Sequence, residues 1–483
     1  MASTVKTGWV NHLYGRRNTV HTHGFCRIRL VSAACLVIAL LLTGTYSCAE
    51  NADTLYPIRV DDLWGYMNRA GTVVIEPQFA SAEGFRGGYA VVGLISDDPE
   101  LESEYCGIID RTGRWALEPG HLGIESRDEM DRFIGGRDEG IYIIRGDDGC
   151  GFFDIPSGFF SDLVFDDVES DPDGQVDAKL VCVQRDFRKG FARRDNGEIA
   201  VPCLYDSEYI YAFEGEYCAV MPYDTDIADD WRLIDREGKE IPMPEGCHAT
   251  ANASEGLVPV WNAESDLCGY ADTAGNMAIE PQYQWAYPFR EGRACVTLTS
   301  WQDAVITPEN EIVAVLSDSV NRTGSSDAYS RGQLQLAHYS DGLEYIAFLD
   351  AYGREVFRLD VENLISAGDY FGNGTAFYQT GKSTRYGDVE DSRYGLFNEQ
   401  GEILTGPVFE MSEEDLCRMF SEGCFAVTDA DTGCKGFIDA RGQWVIAPEW
   451  DEAEDFYGGL APVERDGRLA YIDHDGKLVW EEK

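Results

Sequence analysis

The stretch from Lys435 to Val463, KGFIDARGQWVIAPEWDEAEDFYGGLAPV, recurs in recognisable form along most of the 483-residue chain. A period of about 40 residues confines a chain to stacked supersecondary units, each burying its apolar face against its neighbours. The unit can be read residue by residue. Gly436-Phe437-Ile438 is a short apolar run that ends at Asp439, with Gly442 three positions on. Asp there caps backbone N–H groups of a turn, and Gly supplies the left-handed conformation that closes a hairpin with a bulge. Trp444-Val445-Ile446 is a second strand, stopped by Pro448, which cannot donate to a ladder. An acidic bend then leads to Phe456, a Gly458-Gly459 turn and a third strand from Leu460 to Val463. The unit therefore predicts three short strands.

Other copies keep the same landmarks. Trp64-Gly65-Tyr66 is followed by Gly71, Val74-Ile75-Glu76-Pro77, Phe85 and Tyr89-Ala90-Val91. Cys268-Gly269-Tyr270 is followed by Asp272, Gly275, Ile279-Glu280-Pro281, Phe289 and Ala294-Cys295-Val296. Further copies start at Cys106-Gly107, Cys150-Gly151, Lys189-Gly190 and Tyr394-Gly395, with worn ones at Trp231, Trp301 and Tyr345 and a partial one at Leu469 to Gly476. This pattern resembles the bacterial WG-repeat (KWG) family over roughly residues 56 to 483, in register at about ten places. The resemblance implies a β-rich scaffold used as a binding or interaction module, with no catalytic residues to carry over. It puts the repeats at 64–299 and 346–483, with a degenerate region at 300–345 and a short linker at 49–63. The expected fold is all-β: tandem units of short antiparallel strands in an open, elongated array, the alternative being one or two β-propellers.

The first 48 residues differ in composition. Arg16, Arg17, Arg27 and Arg29 precede the apolar run Leu30 to Leu42, and Thr43-Gly44-Thr45-Tyr46-Ser47-Cys48 follows. Basic region, apolar core and small-residue zone are the order of a secretory signal or an N-terminal membrane anchor. Cys48 stands where a lipoprotein signal would place its lipidated cysteine. The leader holds 5 of the 39 Lys and Arg and none of the 86 Asp and Glu, so the rest sets 34 basic against 86 acidic residues, a formal charge of −52. Such a field repels phosphate backbones and anionic lipid, which excludes nucleic acid as a partner and leaves membrane contact to the leader alone. It suits cationic partners and cell-wall amines, and it also keeps a β-rich surface soluble.

No catalytic, cofactor or metal constellation emerges. Gly381-Lys382-Ser383-Thr384 looks like the end of a phosphate-binding loop, but Ala376 stands where that loop needs its first Gly. Asp171 to Asp177 lacks the calcium-loop spacing and its twelfth-position Glu. Asp224, Asp226, Asp229 and Asp230 form a similar acidic cluster, and Asp-Gly turns explain both. Glu76, Glu118 and Glu280 are placed by repeat register, whereas glycoside hydrolysis needs two carboxylates at a set separation in a cleft. Cysteines in the repeats take core positions, such as Cys106, Cys150 and Cys268 at unit starts, so buried thiols are expected ahead of disulfides. Phe85, Phe213, Phe289, Phe420 and Phe456 recur once per unit and read as a core ladder. The variable stretches 97–104, 120–133, 299–328 and 379–393 are the candidate binding surface. The function expected is an exported, non-enzymatic β-repeat scaffold of the cell envelope that holds a protein or cell-wall partner through these loops. The competing expectations are an envelope hydrolase acting on carbohydrate or peptide with acidic residues in 300–345, and a structural spacer.

Overall fold

The computed structural model describes residues 54–94, 105–121, 123–126, 140–146, 149–169, 179–210, 213, 215–223, 230–316, 320–322, 331–339, 343–368, 370–383, 389–416 and 418–483. Strands there pair antiparallel in sequence order into nine sheets, two of them seven-stranded doubles. Each double divides into two units, so eleven units follow one another. They span 54–79, 80–121, 123–160, 161–205, 206–241, 242–283, 284–316, 320–359, 360–405, 406–450 and 451–483, numbered 1 to 11 below.

Unit 2 shows the plan with its four strands Ser81–Ala82, Tyr89–Gly93, Tyr105–Asp110 and Trp115–His121. The expected three strands per unit are therefore corrected to four. The additional strand is only two residues long, as at Ser81–Ala82, Trp285–Ala286 and Glu452–Ala453. It lies inside the bend that follows Pro, too short for any alternation of apolar and polar residues to mark it. The sequence repeat and the sheet are also out of phase. Residues 436–450 give the third and fourth strands of unit 10, and 452–463 give the first and second of unit 11. For the same reason residues 49–63, read as a linker, contain the strand Leu55–Val60, which is the second-strand equivalent of unit 1. The worn region 300–345 carries strands Asp303–Ile306, Ile312–Val315 and Leu334–Tyr339 of ordinary sheets.

The motif glycine has a steric cause. Trp64 pairs with Phe79 and Tyr66 with Ile75, so three residues of the fourth strand bulge opposite Gly65 alone. The same occurs at Gly269 and Gly436. A Cβ on Gly65 would lie 2.5 Å from the Ile75 carbonyl and 2.6 Å from the Pro77 nitrogen, and one on Gly436 2.7 Å from the Pro448 nitrogen. The Trp-Gly start and the Ile-x-Pro strand are thus two halves of one contact. The third-to-fourth turns form as expected. Asp439 Oδ1 accepts from the N–H groups of Arg441 and Gln443, while Gly442 takes φ +71°.

Eleven buried apolar clusters join the units, each shared by two neighbours. Tyr66, Phe79, Phe85 and Val92 bind unit 1 to unit 2, and Phe437, Trp450, Phe456 and Val463 bind unit 10 to unit 11. The last cluster, with Tyr56, Ile58, Met67, Leu469 and Tyr471, joins unit 11 to unit 1. The Tyr471 hydroxyl donates to the Pro57 carbonyl at 2.8 Å, Tyr56 donates to the Gly458 carbonyl at 2.8 Å, and Arg59 pairs with Glu482 at 2.6 Å. The joint has the geometry of its counterparts: Gly71 sits on Val479 of the preceding fourth strand, as Gly113 sits on Ile75 and Gly476 on Ile446. The units form an all-β repeat array whose ends meet in a ring, the propeller-like alternative rather than an array left open.

Gly436→Ala places a methyl group against immobile backbone and is expected to cost about 3 kcal/mol. Gly423→Ala, at φ +87° with nothing within 4 Å of the added atom, is expected to cost about 1 kcal/mol for the left-handed turn alone. Urea unfolding of the two variants checks the difference; equal costs would contradict the close-approach account.

Candidate functional site

The antiparallel order gives the ring two unlike ends. One carries the turns between first and second strands together with the Asp-x-x-Gly turns; we call it the clasp end. Its two-residue turns, among them Glu255-Gly256, Glu291-Gly292, Glu422-Gly423 and Gly458-Gly459, have positive φ at both residues, the conformation that matches strand twist in tight hairpins. Their carboxylates are already engaged. Glu255 accepts from the Gly292 N–H at 2.9 Å, Glu291 from Gly332 at 2.5 Å and Glu422 from Gly459 at 3.1 Å, each reaching the next unit. Ser254 and Ser421 hydroxyls donate across the same joints to the Phe289 and Phe456 carbonyls. These turns are spent on holding the ring together.

The opposite end carries the connections between second and third strands, and we call it the loop end. Two of the variable stretches, 97–104 and 379–393, are connections of this kind, although 95–104 and 384–388 lie outside the described residues. The stretch 299–328 contributes its first residues here, and 120–133 belongs to the fourth-to-first and first-to-second connections of units 2 and 3. Some loop-end polar groups tie units together. The Arg188 guanidinium of unit 4 lies 4.8 Å over the Tyr223 ring of unit 5. Asp230, buried at the end of the unit 5 connection, pairs with Arg232 at 2.8 Å and faces His248 of unit 6 at 3.7 Å. Arg465 covers Trp450 at 4.1 Å. Around them stand exposed aromatic residues, foremost Phe187 and Trp301, which are 74% and 68% exposed. Sequence reasoning missed both. The repeat register puts a worn unit start at Trp301, whereas the third strand begins two residues later at Asp303. The available signal was a large apolar residue in a hairpin turn.

The remaining sequence candidates fall as follows. Cys48, Asp171 to Asp177, Asp224, Asp226 and Asp229 lie outside the described residues. Gly381-Lys382-Ser383 is strand, not a loop cradling phosphate, and Lys382 is paired with Asp391 at 2.7 Å. Asp303, in the 300–345 region, accepts from Thr297 Oγ1 at 2.7 Å. Among the described residues no group of three or more His, Cys, Asp or Glu is placed to hold a metal ion, and no helix is long and apolar enough to cross a membrane. The Phe ladder is core packing. Phe85, Phe213, Phe289 and Phe456 meet the third-strand rings of Tyr66, Phe191, Tyr270 and Phe437 at 4.8 to 4.9 Å.

The cysteines also occupy the core. Cys150, Cys182, Cys218, Cys247, Cys268, Cys295 and Cys424 are buried free thiols. Burial pushes the Cys268 thiol up to about 12 and those of Cys106 and Cys424 to about 11, so all three stay protonated at neutral pH.

These features define a class first: a closed β-sheet repeat ring with one self-bonded end and one end of exposed loops. The WG containing repeat model matches residues 64–94, 269–298 and 436–468, each running from a Trp-Gly-type third strand into the next unit's second strand. The chain contains WG-type repeats at these three places. No curated protein matches it. Among solved structures, that of a eukaryotic initiation factor superposes on 72% of this chain and 94% of its own, at 12% identity and TM-score 0.36. BamB from Moraxella catarrhalis does so over 68% and 92%, at 10% identity and TM-score 0.28. The fold assignment rests on the contacts above, not on these distant likenesses.

In native protein the Cys268 and Cys424 thiols are expected to react with a thiol-specific alkylating reagent at least about a hundredfold more slowly than in unfolded protein. Mass spectrometry of peptides after timed labelling checks this; rapid native labelling would place the thiols outside the core.

Proposed function

We propose that this protein is a non-catalytic scaffold that holds a partner polypeptide at its loop end, exported and retained at a cell envelope by its N-terminal leader. The observation that carries the reading is the asymmetry of the ring. The clasp-end turns of units 6, 7 and 10 spend their carboxylates on neighbouring units, whereas the second-to-third turns of units 4 and 7 at the loop end hold the Phe187 and Trp301 rings out in solvent. Conversion of exposed apolar surface into a partner interface is the usual use of such an arrangement. The WG repeats support a scaffold role, and the basic leader with its apolar run from Leu30 to Leu42 supports export. Cys48 is the residue that lipidation would modify.

Photo-crosslinking checks the assignment of ends. A photoreactive residue placed at 264 or 300, on the loop end, is expected to capture a discrete partner in the native host, while one placed at 256 or 423, on the clasp end, captures none. Crosslinks from the clasp end alone, or turnover of a glycan or peptide substrate by the purified protein, would contradict the proposal.

A further inference from the structure

We propose that the loop end of units 4 to 8 is a binding surface for a cationic polypeptide segment, with the Phe187 and Trp301 rings as its stacking platforms. The inference rests on the scaffold reading above and gives the chemistry of the partner at that same end.

The backbone makes the first argument. Non-glycine residues with left-handed φ in the described chain are mostly Asp, Glu and Asn, together with Arg331; Phe187 at φ +61° and Trp301 at φ +67° are its aromatic members. A Cβ in that conformation is unfavourable, and the cost is greatest for bulky residues. Packing does not offset it here, because both rings project largely into solvent. Glycine, which most turns of this chain use, would serve the fold better. Strain that the fold does not require is a mark of use.

Placement makes the second. Phe187, Tyr223, Trp261, Trp301 and Tyr345 belong to units 4, 5, 6, 7 and 8 in turn; Phe187, Tyr223 and Trp301 lie in second-to-third connections, and Trp261 and Tyr345 in strands beside them. Two already carry a cation of the chain's own, Arg188 over Tyr223 at 4.8 Å and Arg358 over Tyr345 at 4.3 Å, while Trp261 packs against the His248 ring. Among the described residues no cation is stacked on Phe187 or Trp301, so the arc holds a cation on two of its rings and leaves these two exposed rings open.

Charge selects the occupant. Asp186 is exposed beside Phe187, whose flanking Arg185 and Arg188 are drawn onto the Phe165 and Tyr223 rings, and Glu264, Asp266 and Glu344 are exposed at the neighbouring connections, within a chain that carries a formal −52 beyond its leader. A sugar ring would also stack on Trp and Phe, but it gains nothing from this field. Arginine and lysine side chains gain from both the ring faces and the carboxylates.

Fluorescence anisotropy on the full-length protein tests this, using a labelled peptide of alternating Arg and Gly, the same peptide with Glu for Arg, and a labelled neutral oligosaccharide. Phe187→Gly and Trp301→Gly are each expected to weaken the Arg-Gly peptide by about fivefold and together by more than tenfold. Binding should weaken with added salt. Their melting temperatures should match or exceed wild type, because glycine accepts left-handed φ; Val356→Ser, on an outer edge strand, should leave affinity unchanged. Unchanged affinity in the double variant, or preference for the oligosaccharide, would overturn the proposal. A wild-type protein that binds no Arg-Gly peptide at low salt would also overturn it. Crosslinked partners from the loop end would in that case leave the scaffold reading standing.

Discussion

Each sheet of this protein is apolar on both faces and covers neither by itself. In unit 1, Tyr56 and Ile58 point to one neighbour while Leu55 and Ile75 point to the other. Burial of a large aromatic or aliphatic side chain contributes about 1.5–3 kcal/mol relative to exposure. A sheet is therefore stable only with a neighbour on each side. A linear stack satisfies this everywhere except at its two ends, and terminal repeats of such stacks need polar outer faces. Here the outward faces of units 1 and 11 are apolar, and they satisfy each other. Closure follows from two-sided burial: among the described residues the first sheet holds three strands, and Leu55–Val60 pairs only with Leu63–Asn68.

Closure sets what is left for function. Inter-unit contacts at the clasp end and in the core use the motif residues, which is why the repeat is strongest in positions that serve packing. Gly65, Gly269 and Gly436 admit the bulged Ile-x-Pro strand, and Asp272 and Asp439 shape the turns that rest on the preceding unit. Hydrogen bonds from the Asn276 side chain and backbone hold the Asp272 carboxyl below its ordinary range, favouring the charged form in the turn. What the motif leaves free is the loop end, where successive units differ. The exposed rings of Phe187 and Trp301 stand there.

Much of this was legible in the sequence because it is local. Asp439 with Gly442, and Gly458 with Gly459, are turn signals whose conformations follow from residue type, and Phe456 betrays its core position by recurring in register. Non-local features were not legible. The contact of Tyr56 with Gly458 spans 402 residues, and no pattern around either residue announces it. A two-residue strand such as Glu452–Ala453 has no period to detect, and Leu55–Val60 was passed over because the template begins at the Trp-Gly strand. Trp301 was mistaken for a unit start because tryptophan is the motif's own first residue. Its exposure follows from a shift of two positions that only the sheet register reveals.

Ring closure is the central claim, and the distance between the chain's two described ends tests it directly. Spin labels introduced through a non-natural amino acid at positions 62 and 483 leave the native cysteines untouched. Because Arg59 and Glu482 are in contact at 2.6 Å, and a residue spans at most about 3.5 Å, the closed ring predicts a single label distance within about 25 Å. Eleven sheets stacked openly at about 10 Å spacing would separate the same labels by roughly 100 Å. A narrow short distance is the result the account predicts, and a distribution centred near the longer value would contradict it.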